Sequence, residues 1–262
     1  MKCSLIITTY NWKEALELVL LSVLQQMKMP DEVVIADDGS DKETRLLIEK
    51  YINIFPIPLI HSWQEDLGFR AARSRNLAIS KSSMEYIILI DGDMILHSAF
   101  IKDHLLFARK GYFIQGGRVL IGESKTAEFL TNKKFNISFM DSDIKNRKNM
   151  IHSQFLSTIF SKPSNKLSGI KTCNMAFYKN DCYLINGFDN NFIGWGREDS
   201  EFVIRLMNSG IKRLNLKFMA IAYHLWHNEN ERASLDSNDL RLKKSLEKKL
   251  LICENGITQL SQ

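Results

Sequence analysis

Two groups of carboxylates stand where a folded chain presents atoms to a ligand. Asp91-Gly92-Asp93 follows the apolar run Tyr86–Ile90. Its two acids are separated by a glycine that lets the backbone approach a ligand closely. Hard divalent cations such as Mn²⁺ or Mg²⁺ favour oxygen ligands and bridge to a diphosphate. A polar turn after a buried strand is the plain alternative, and a lone D-x-D fits both. The second group closes the segment from Asn186 to Asp199, where Gly194-Trp195-Gly196-Arg197 delivers Glu198 and Asp199 to the start of a helix. A Trp between glycines suits stacking on a sugar ring. A carboxylate aimed at a hydroxyl can act as the general base for its attack on an activated carbon. The helix dipole favours acids at that position, but it gives no reason for the Gly-Trp-Gly before them. Together the two groups point to metal-assisted group transfer.

Other polar residues fall at similar places. Asp37-Asp38-Gly39-Ser40 follows a buried strand, so Asp38 can accept a hydrogen bond from the N3–H of a uracil while Ser40 caps the next helix. Thr8 and Tyr10, in Thr8-Thr9-Tyr10-Asn11, fit beneath a base or ribose; capping of a loop accounts equally for Asn11. Arg70 opens a helix that also carries Arg73 and Arg75. Free backbone N–H groups and a guanidinium at a helix start can hold a diphosphate. Arg70 lies nearest the strand-end side, and three arginines on one short helix otherwise read as a solvated face. His224 and His227 end a strand; either can serve as a third metal ligand, or simply be structural.

The elements that must position these residues are legible from periodicity. Strands are expected at Leu5–Thr9, Glu32–Ala36, Ile57–His61 and Tyr86–Ile90, alternating with helices at Lys13–Gln26, from the Ser40-Asp41-Lys42-Glu43 capping box to about Ile52, and at Arg70–Ser80. Such alternation implies right-handed crossovers and a largely parallel sheet with its ligands at the C-terminal strand ends. A helix at Ala99–Lys110 and a strand at Tyr112–Ile121 follow. Residues 122–168 are polar, rich in Lys, Asn and Ser, and read as a mobile insertion or lid with short helices. Strands at Cys173–Tyr178 and Leu214–Tyr223, a helix at Glu198–Asn208 and a basic tail helix at Leu235–Cys253 complete the chain.

With 262 residues, 45% hydrophobic and 25% charged, the composition is that of a mixed α/β globular protein. The net charge of +5 is modest, and no compact basic-aromatic cluster points to nucleic acid. Cys3, Cys173, Cys182 and Cys253 show no short paired spacing and read as reduced thiols. No signal-peptide pattern or membrane span is apparent. A cytoplasmic protein is therefore expected, with the tail residues Arg241, Lys243, Lys244, Lys248 and Lys249 offering peripheral contact with anionic membrane, or forming a solvated face packed on the domain.

Thr8-Thr9-Tyr10-Asn11, Ala36-Asp37-Asp38-Gly39-Ser40 and Asp91-Gly92-Asp93, in this order and spacing, resemble family 2 glycosyltransferases of the GT-A fold. Asn186-Gly187-Phe188, Gly194-Trp195-Gly196 and Glu198-Asp199 are similar to the C-terminal half of animal β-1,4-galactosyltransferases. Bacterial chondroitin-polymerase-type transferases combine both halves, and Gly68-Phe69-Arg70 with Arg75-Asn76-Leu77 also resembles them. The resemblance implies a single GT-A domain over 1–262, with a nucleotide-sugar-binding half (1–121), an insertion (122–170), an acceptor and catalytic half (171–228) and a tail (229–262). It implies that Thr8, Tyr10 and Asp38 contact uridine, and that Asp91 and Asp93 hold the ribose and the Mn²⁺-diphosphate. His224, which directly ends its strand, is the further metal ligand, Trp195 lines the acceptor subsite and Asp199 is the inverting base supported by Glu198. Arg197 departs from the galactosyltransferase pattern, which has glycine there, and would narrow the acceptor site or meet an anionic acceptor. The implied donor is a UDP-sugar and the acceptor an oligosaccharide or lipid-linked glycan, as in bacterial surface-glycan synthesis. Two other readings stand beside this one. A sugar nucleotidyltransferase should open with a glycine-rich phosphate loop, which Thr8–Trp12 lacks. A non-catalytic carbohydrate-binding protein would explain Trp195 but not the acids at three strand ends.

Overall fold

Side chains alternate along the first strands and divide the core into two layers. In the computed structural model, residues 1–228 and 232–260 are described. Residues 229–231 and 261–262, which belong to the expected tail, lie outside the described residues. The chain runs β1 (Cys3–Thr9), α1 (Lys13–Leu24), β2 (Glu32–Asp37), α2 (Lys42–Ile52), β3 (Leu59–Trp63), α3 (Ala71–Lys81), β4 (Tyr86–Asp91) and β5 (Met94–Leu96). It continues through α4 (Phe100–Phe107), β6 (Tyr112–Gln115), β7 (Val119–Ile121), α5 (Glu123–Asn132), β8 (Ile144–Lys145), α6 (Gln154–Phe160), β9 (Lys162–Ser164) and β10 (Asn174–Tyr178). It ends with α7 (Lys179–Leu184), α8 (Glu198–Asn208), β11 (Lys212–Asn215), β12 (Ala222–His224) and α9 (Leu235–Glu247).

The main sheet has the order β3-β2-β1-β4-β10-β6-β11-β9. β3, β2, β1 and β4 pair in parallel, as do β6 and β11, while β10 runs antiparallel to both β4 and β6. The expected mixed, mostly parallel α/β architecture is therefore present. Leu5, Ile7, Val33, Ile35, Ile88 and Ile90 face one layer, closed by Leu16, Val19 and Leu20 of α1 and Phe100 of α4. Ile6, Val34, Ile87 and Leu89 face the other, closed by Ala78 and Ile79 of α3 and Phe202 and Leu206 of α8. Each fully buried aliphatic side chain contributes about 2 kcal/mol of burial free energy. Register matters most for function: Thr8 is opposite Asp91, and Thr9 opposite Asp37. Three polar strand ends thus meet on one edge.

A second sheet, in the order β5-β12-β7-β8, revises two expected strands. Tyr112–Ile121 is two strands: β6 stays in the main sheet and β7 leaves it at Gly116-Gly117. Leu214–Tyr223 likewise divides into β11 and β12 around Phe218 and Ala220, which take φ values of 61° and 49°. Asn174 holds both breaks, since its Nδ2 donates to Gly117 O at 2.7 Å and Ala220 O at 2.9 Å. A Cβ on Gly116 would lie 2.3 Å from the Asn174 side chain, which is why glycine occupies the first break. The consequence is a pairing of β12 with β5 that sets His224 against Met94, one residue from Asp93.

Three further expectations are revised. Ser40 is not the cap of α2: Asp41 is, accepting from Thr44 N at 3.0 Å, while Ser40 Oγ accepts from Asn11 N at 2.9 Å. The 122–170 segment, expected to carry short helices, holds α5 and α6 but also strands. β8 and β9 join the two sheets, and Phe129 and Ile144 sit in a third apolar cluster with Val119, Ile121 and Ile221. The tail helix α9 stops at Glu247 rather than Cys253, and packs on α8 with Ser245 Oγ donating to Glu201 Oε1 at 3.0 Å. Among the described residues no helix is long and apolar enough to cross a membrane.

Candidate active site

The polar ends of β1, β2 and β4 open into a cavity of about 820 Å³. Its walls include Thr8, Tyr10, Asp38, Asp91 and Asp93 from the N-terminal half. From the C-terminal half come Trp195, Arg197, Glu198, Asp199 and His224. Arg70 is absent from the lining. Its backbone N–H donates to Asp38 Oδ2 at 2.7 Å and its guanidinium folds onto the carbonyl of Glu65.

Of Arg70, Arg73 and Arg75, the one that lines the cavity is Arg75, only 4% exposed. Its Nε donates to Thr8 Oγ1 at 3.2 Å, Nη1 to Glu198 Oε1 at 3.0 Å and Nη2 to Asp91 Oδ1 at 3.3 Å. One planar, five-donor guanidinium therefore ties the first strand, the fourth strand and the start of α8. Sequence reasoning missed it by treating the arginines of α3 as a set. A finer signal was available: Ala71, Ala72, Ala78 and Ile79, at i−4, i−3, i+3 and i+4 from Arg75, are apolar or small and mark its helical face as the buried one. The neighbouring Asn76 donates to Phe188 O at 2.7 Å and accepts from Phe188 N at 2.8 Å, so α3 also fixes the loop that leads to the second pair of acids.

That loop needs several left-handed residues. Gly194 and Gly196 take φ values of 77° and 105°, and Arg197 takes 78° despite its Cβ. A Cβ on Gly194 would meet Ser234 Oγ at 2.2 Å, and Gly194 N donates to Phe69 O at 2.8 Å. The Arg197 guanidinium pairs with Asp239 of α9. Its departure from glycine thus links the loop to the C-terminal helix. Trp195, 38% exposed, lies under the Arg232 guanidinium at 5.4 Å from its ring centre. Behind the loop, α8 is anchored by a fully buried pair in which Arg205 grips both oxygens of Glu201 at 2.7 Å.

The two adjacent acids sit in different environments. Glu198 is ion-paired with Arg75. Asp199 accepts from Ser200 N at 2.6 Å and from Ser200 Oγ at 3.2 Å. Burial first, then the charge of Glu198, pushes its carboxyl up to about 7, against the pull of Arg75. Neighbouring carboxylates placed in unlike surroundings are how one acid is poised to exchange protons near neutrality while the other holds charge. Asp38, 3% exposed, is raised to about 6 by burial, opposed by the donors Arg70 N and Gln64 Nε2. Tyr10, half exposed, donates to Asp66 Oδ2 at 2.9 Å and presents its ring to the cavity.

A candidate metal centre forms around Asp93. Asp93 Oδ2 lies 3.4 Å from His224 Nε2 and 3.4 Å from His227 Nε2, and ligand atoms of the three residues fall within 4.8 Å of one another. Asp93 Oδ1 is buried with no hydrogen-bond partner. Burial and the nearby Arg118 charge push His224 down to about 3, so its imidazole is neutral and able to ligate. An unpartnered carboxylate oxygen beside two imidazoles fits a divalent cation. The structure thus brings His227 in with His224, while Asp91, expected as a ligand, is engaged by Arg75.

Residues 4–167 match glycosyl transferase family 2, and residues 155–228 match the family described as the N-terminal domain of galactosyltransferase. The chain is 27% identical over 258 residues to a chondroitin synthase of Escherichia coli, covering 88% of this chain and 36% of that protein. It is 27% identical over 227 residues to the chondroitin synthase of Pasteurella multocida, covering 79% and 23% respectively. It therefore spans about a quarter to a third of these relatives. Among solved structures, S. aureus TarS 1-349 in complex with UDP aligns with a TM-score of 0.64 at 16% identity, over 99% of this chain and 68% of that one. The complex of the same fragment with UDP-GlcNAc aligns with a TM-score of 0.59 at 18% identity, over 89% and 61%. At that identity the likeness is one of fold, and it shows the GT-A arrangement of sheet and helices. With the family match extending over more than half of the sequence, the chain belongs to glycosyl transferase family 2.

Proposed function

We propose that this chain is an inverting glycosyltransferase that moves a hexose or N-acetylhexosamine from a UDP-sugar to a glycan hydroxyl. One observation carries the reading: Arg75 joins Asp91 of the donor half to Glu198 of the acceptor half. The strand-end residues and the poised Asp199 consequently share one cavity. The fold neighbours crystallised with UDP and UDP-GlcNAc support the donor class. The chondroitin synthases among the relatives support a role in bacterial polysaccharide synthesis, with an oligosaccharide or lipid-linked acceptor presented at the cytoplasmic face of the membrane.

In this mechanism Asp38 accepts the uracil N3–H, the Tyr10 ring covers the base and Thr8 contacts uridine. Asp91 meets the ribose. Asp93, His224 and His227 would hold a divalent cation, Mn²⁺ or Mg²⁺, and such an ion would supply positive charge to offset that of the departing diphosphate. Trp195 stacks on the acceptor sugar. Asp199 removes the proton of the acceptor hydroxyl as its oxygen forms a bond to the anomeric carbon. The bond from that carbon to the diphosphate oxygen breaks, and UDP leaves with the electron pair. A single displacement inverts the anomeric centre, so an α-linked donor gives a β-linked product. Glu198, held by Arg75, orients the start of α8.

The test is Asp199→Asn. Transfer, read as UDP release with a panel of β-glycoside acceptors, should fall by at least about a hundredfold. Calorimetric binding of the UDP-sugar should stay near wild type. Turnover equal to wild type would rule out Asp199 as the base, and no UDP binding in the presence of Mn²⁺ would favour a non-catalytic carbohydrate-binding protein.

A further inference from the structure

Helix α6 is inside out. Its buried residue is Ser157, at 0% exposure, while Phe155, Ile159 and Phe160 are 74%, 46% and 48% exposed. Ile151, just before it, is 41% exposed. The orientation is enforced from both ends. Ser153 Oγ caps the helix by accepting from Leu156 N at 3.3 Å, and Ser153 N donates to Phe218 O at 2.8 Å. Ser157 Oγ meets Ser161 Oγ at 3.0 Å, and Ser161 Oγ accepts from Lys217 N at 3.0 Å. The Ser157 and Ser161 hydroxyls thus form the inner seam and Phe155, Ile159 and Phe160 are turned to solvent, the reverse of an ordinary amphipathic surface helix.

The two chain stretches that build this edge carry charge of one sign. Between Asp143 and Asp181 every charged side chain is a lysine or arginine, and the same holds between Glu201 and Glu229. These two stretches are neighbours, because β9 pairs with β11 at the edge of the main sheet farthest from β3. Exposed Lys162 and Lys217 therefore border the α6 patch. Lys145 and Lys171, from the same acid-free stretch, line the catalytic cavity.

We propose that α6 and the surrounding β9–β11 edge are a docking surface for an anionic phospholipid bilayer, with Phe155, Ile159 and Phe160 entering the headgroup boundary and the lysines meeting lipid phosphates. Aromatic and aliphatic side chains rimmed by lysine are the pairing that interfacial membrane segments use. A second copy of the chain is disfavoured, because a two-fold contact through this face would oppose lysines to lysines. A polyanionic glycan would engage the lysines but leave the exposed Phe155 and Ile159 without a partner. This surface is distinct from the basic α9, and the inference does not depend on the reaction catalysed.

The experiment is co-sedimentation with phosphatidylethanolamine vesicles with and without phosphatidylglycerol. Wild type should pellet with the anionic vesicles and be released by salt. Phe155→Ser with Ile159→Ser should weaken partitioning on the order of tenfold, because these side chains no longer enter the bilayer. Lys162→Glu with Lys217→Glu should weaken it by a similar or greater factor, since each lysine near an anionic surface contributes about fivefold. Lys244→Glu on α9 with Lys248→Glu just beyond it should leave it unchanged. Circular dichroism and melting confirm that each variant is folded, which is expected for exposed positions. Wild type that remains in the supernatant with anionic vesicles overturns the proposal. So does partitioning unaffected by both pairs of changes at the α6 face, or loss of a wild-type dimer in the α6 variants with vesicle binding intact.

Discussion

Replacing Arg75 with methionine removes a single buried cation that three elements share. The substitution keeps much of the side-chain volume but leaves Glu198 and Asp91 without their common partner. Breaking a buried ion pair from one side costs about 3–5 kcal/mol. The Asp91 side chain is 34% exposed and that of Glu198 13%, so water recovers part of the loss at Asp91 and a total of about 3 kcal/mol is expected. For a chain of this size that lowers Tm by roughly 5–10 °C. The effect on chemistry is separate and has a definite sign. Arg75 pulls the Asp199 carboxyl down against the burial and the Glu198 charge that hold it near 7. Without Arg75 that value rises further. A base works only when ionised, so kcat/KM falls as pH drops through the Asp199 value. The acid limb of the profile must therefore move to higher pH in the variant, with about a tenfold loss per unit of displacement at pH below it. The assay is UDP release under kcat/KM conditions across about pH 6 to 9, beside thermal melting. Arg75→Lys should fall between the two proteins, because one ammonium cannot span Thr8, Asp91 and Glu198 together. Wild-type melting with an acid limb in its original place would refute the role assigned to Arg75.

Further outcomes follow from the same geometry. In wild type, kcat/KM should hold above about pH 7 and decline below it, in line with the Asp199 value; a flat profile through that range would exclude this base. Chelation with EDTA should abolish transfer and Mn²⁺ should restore it, while His224→Ala and His227→Ala should each raise the Mn²⁺ concentration needed by at least about tenfold. Full activity after exhaustive chelation would remove the metal from the scheme. Gly194→Ala should destabilise the protein by about 1–3 kcal/mol in denaturant melts, because its φ is 77° and the new Cβ would strike Ser234 Oγ. Adding Ser234→Gly should recover the steric part alone, since the Ser234 Cβ also lies 2.5 Å from that position, and a neutral Gly194→Ala would show that the loop is less constrained than these contacts require. Asp38→Asn should weaken UDP binding in calorimetry and also lower the melting temperature, because the new amide nitrogen would face one of the two donors, Arg70 N and Gln64 Nε2, from which the buried carboxylate accepts; binding and melting both equal to wild type would remove Asp38 from the scheme.

Local pattern and long-range convergence divide the protein between them. Sequence alone determined the alternation of strands and helices in the first 100 residues, the polar residues at the end of β1, the acids at the ends of β2 and β4, and the glycine-bounded Trp195 before Glu198 and Asp199. These are legible because strand and helix periods, and the special backbone of glycine, are properties of a few consecutive residues. Tertiary structure decided which candidates meet. Arg75 rather than Arg70 faces the cavity, because the packed face of α3 is chosen by the sheet beneath it. His227 joins His224 beside Asp93 because two strands break at Gly116-Gly117 and at Phe218–Ala220, and a single asparagine, Asn174, secures both breaks. The cap of α2 passed from Ser40 to Asp41 because Asn11, from another loop, takes the Ser40 hydroxyl. Arg197 is accounted for by Asp239, which is 42 residues away. Apart from the buried face of α3, which its small and apolar residues mark, each of these outcomes rests on a partner distant in sequence, and no short-range period encodes that.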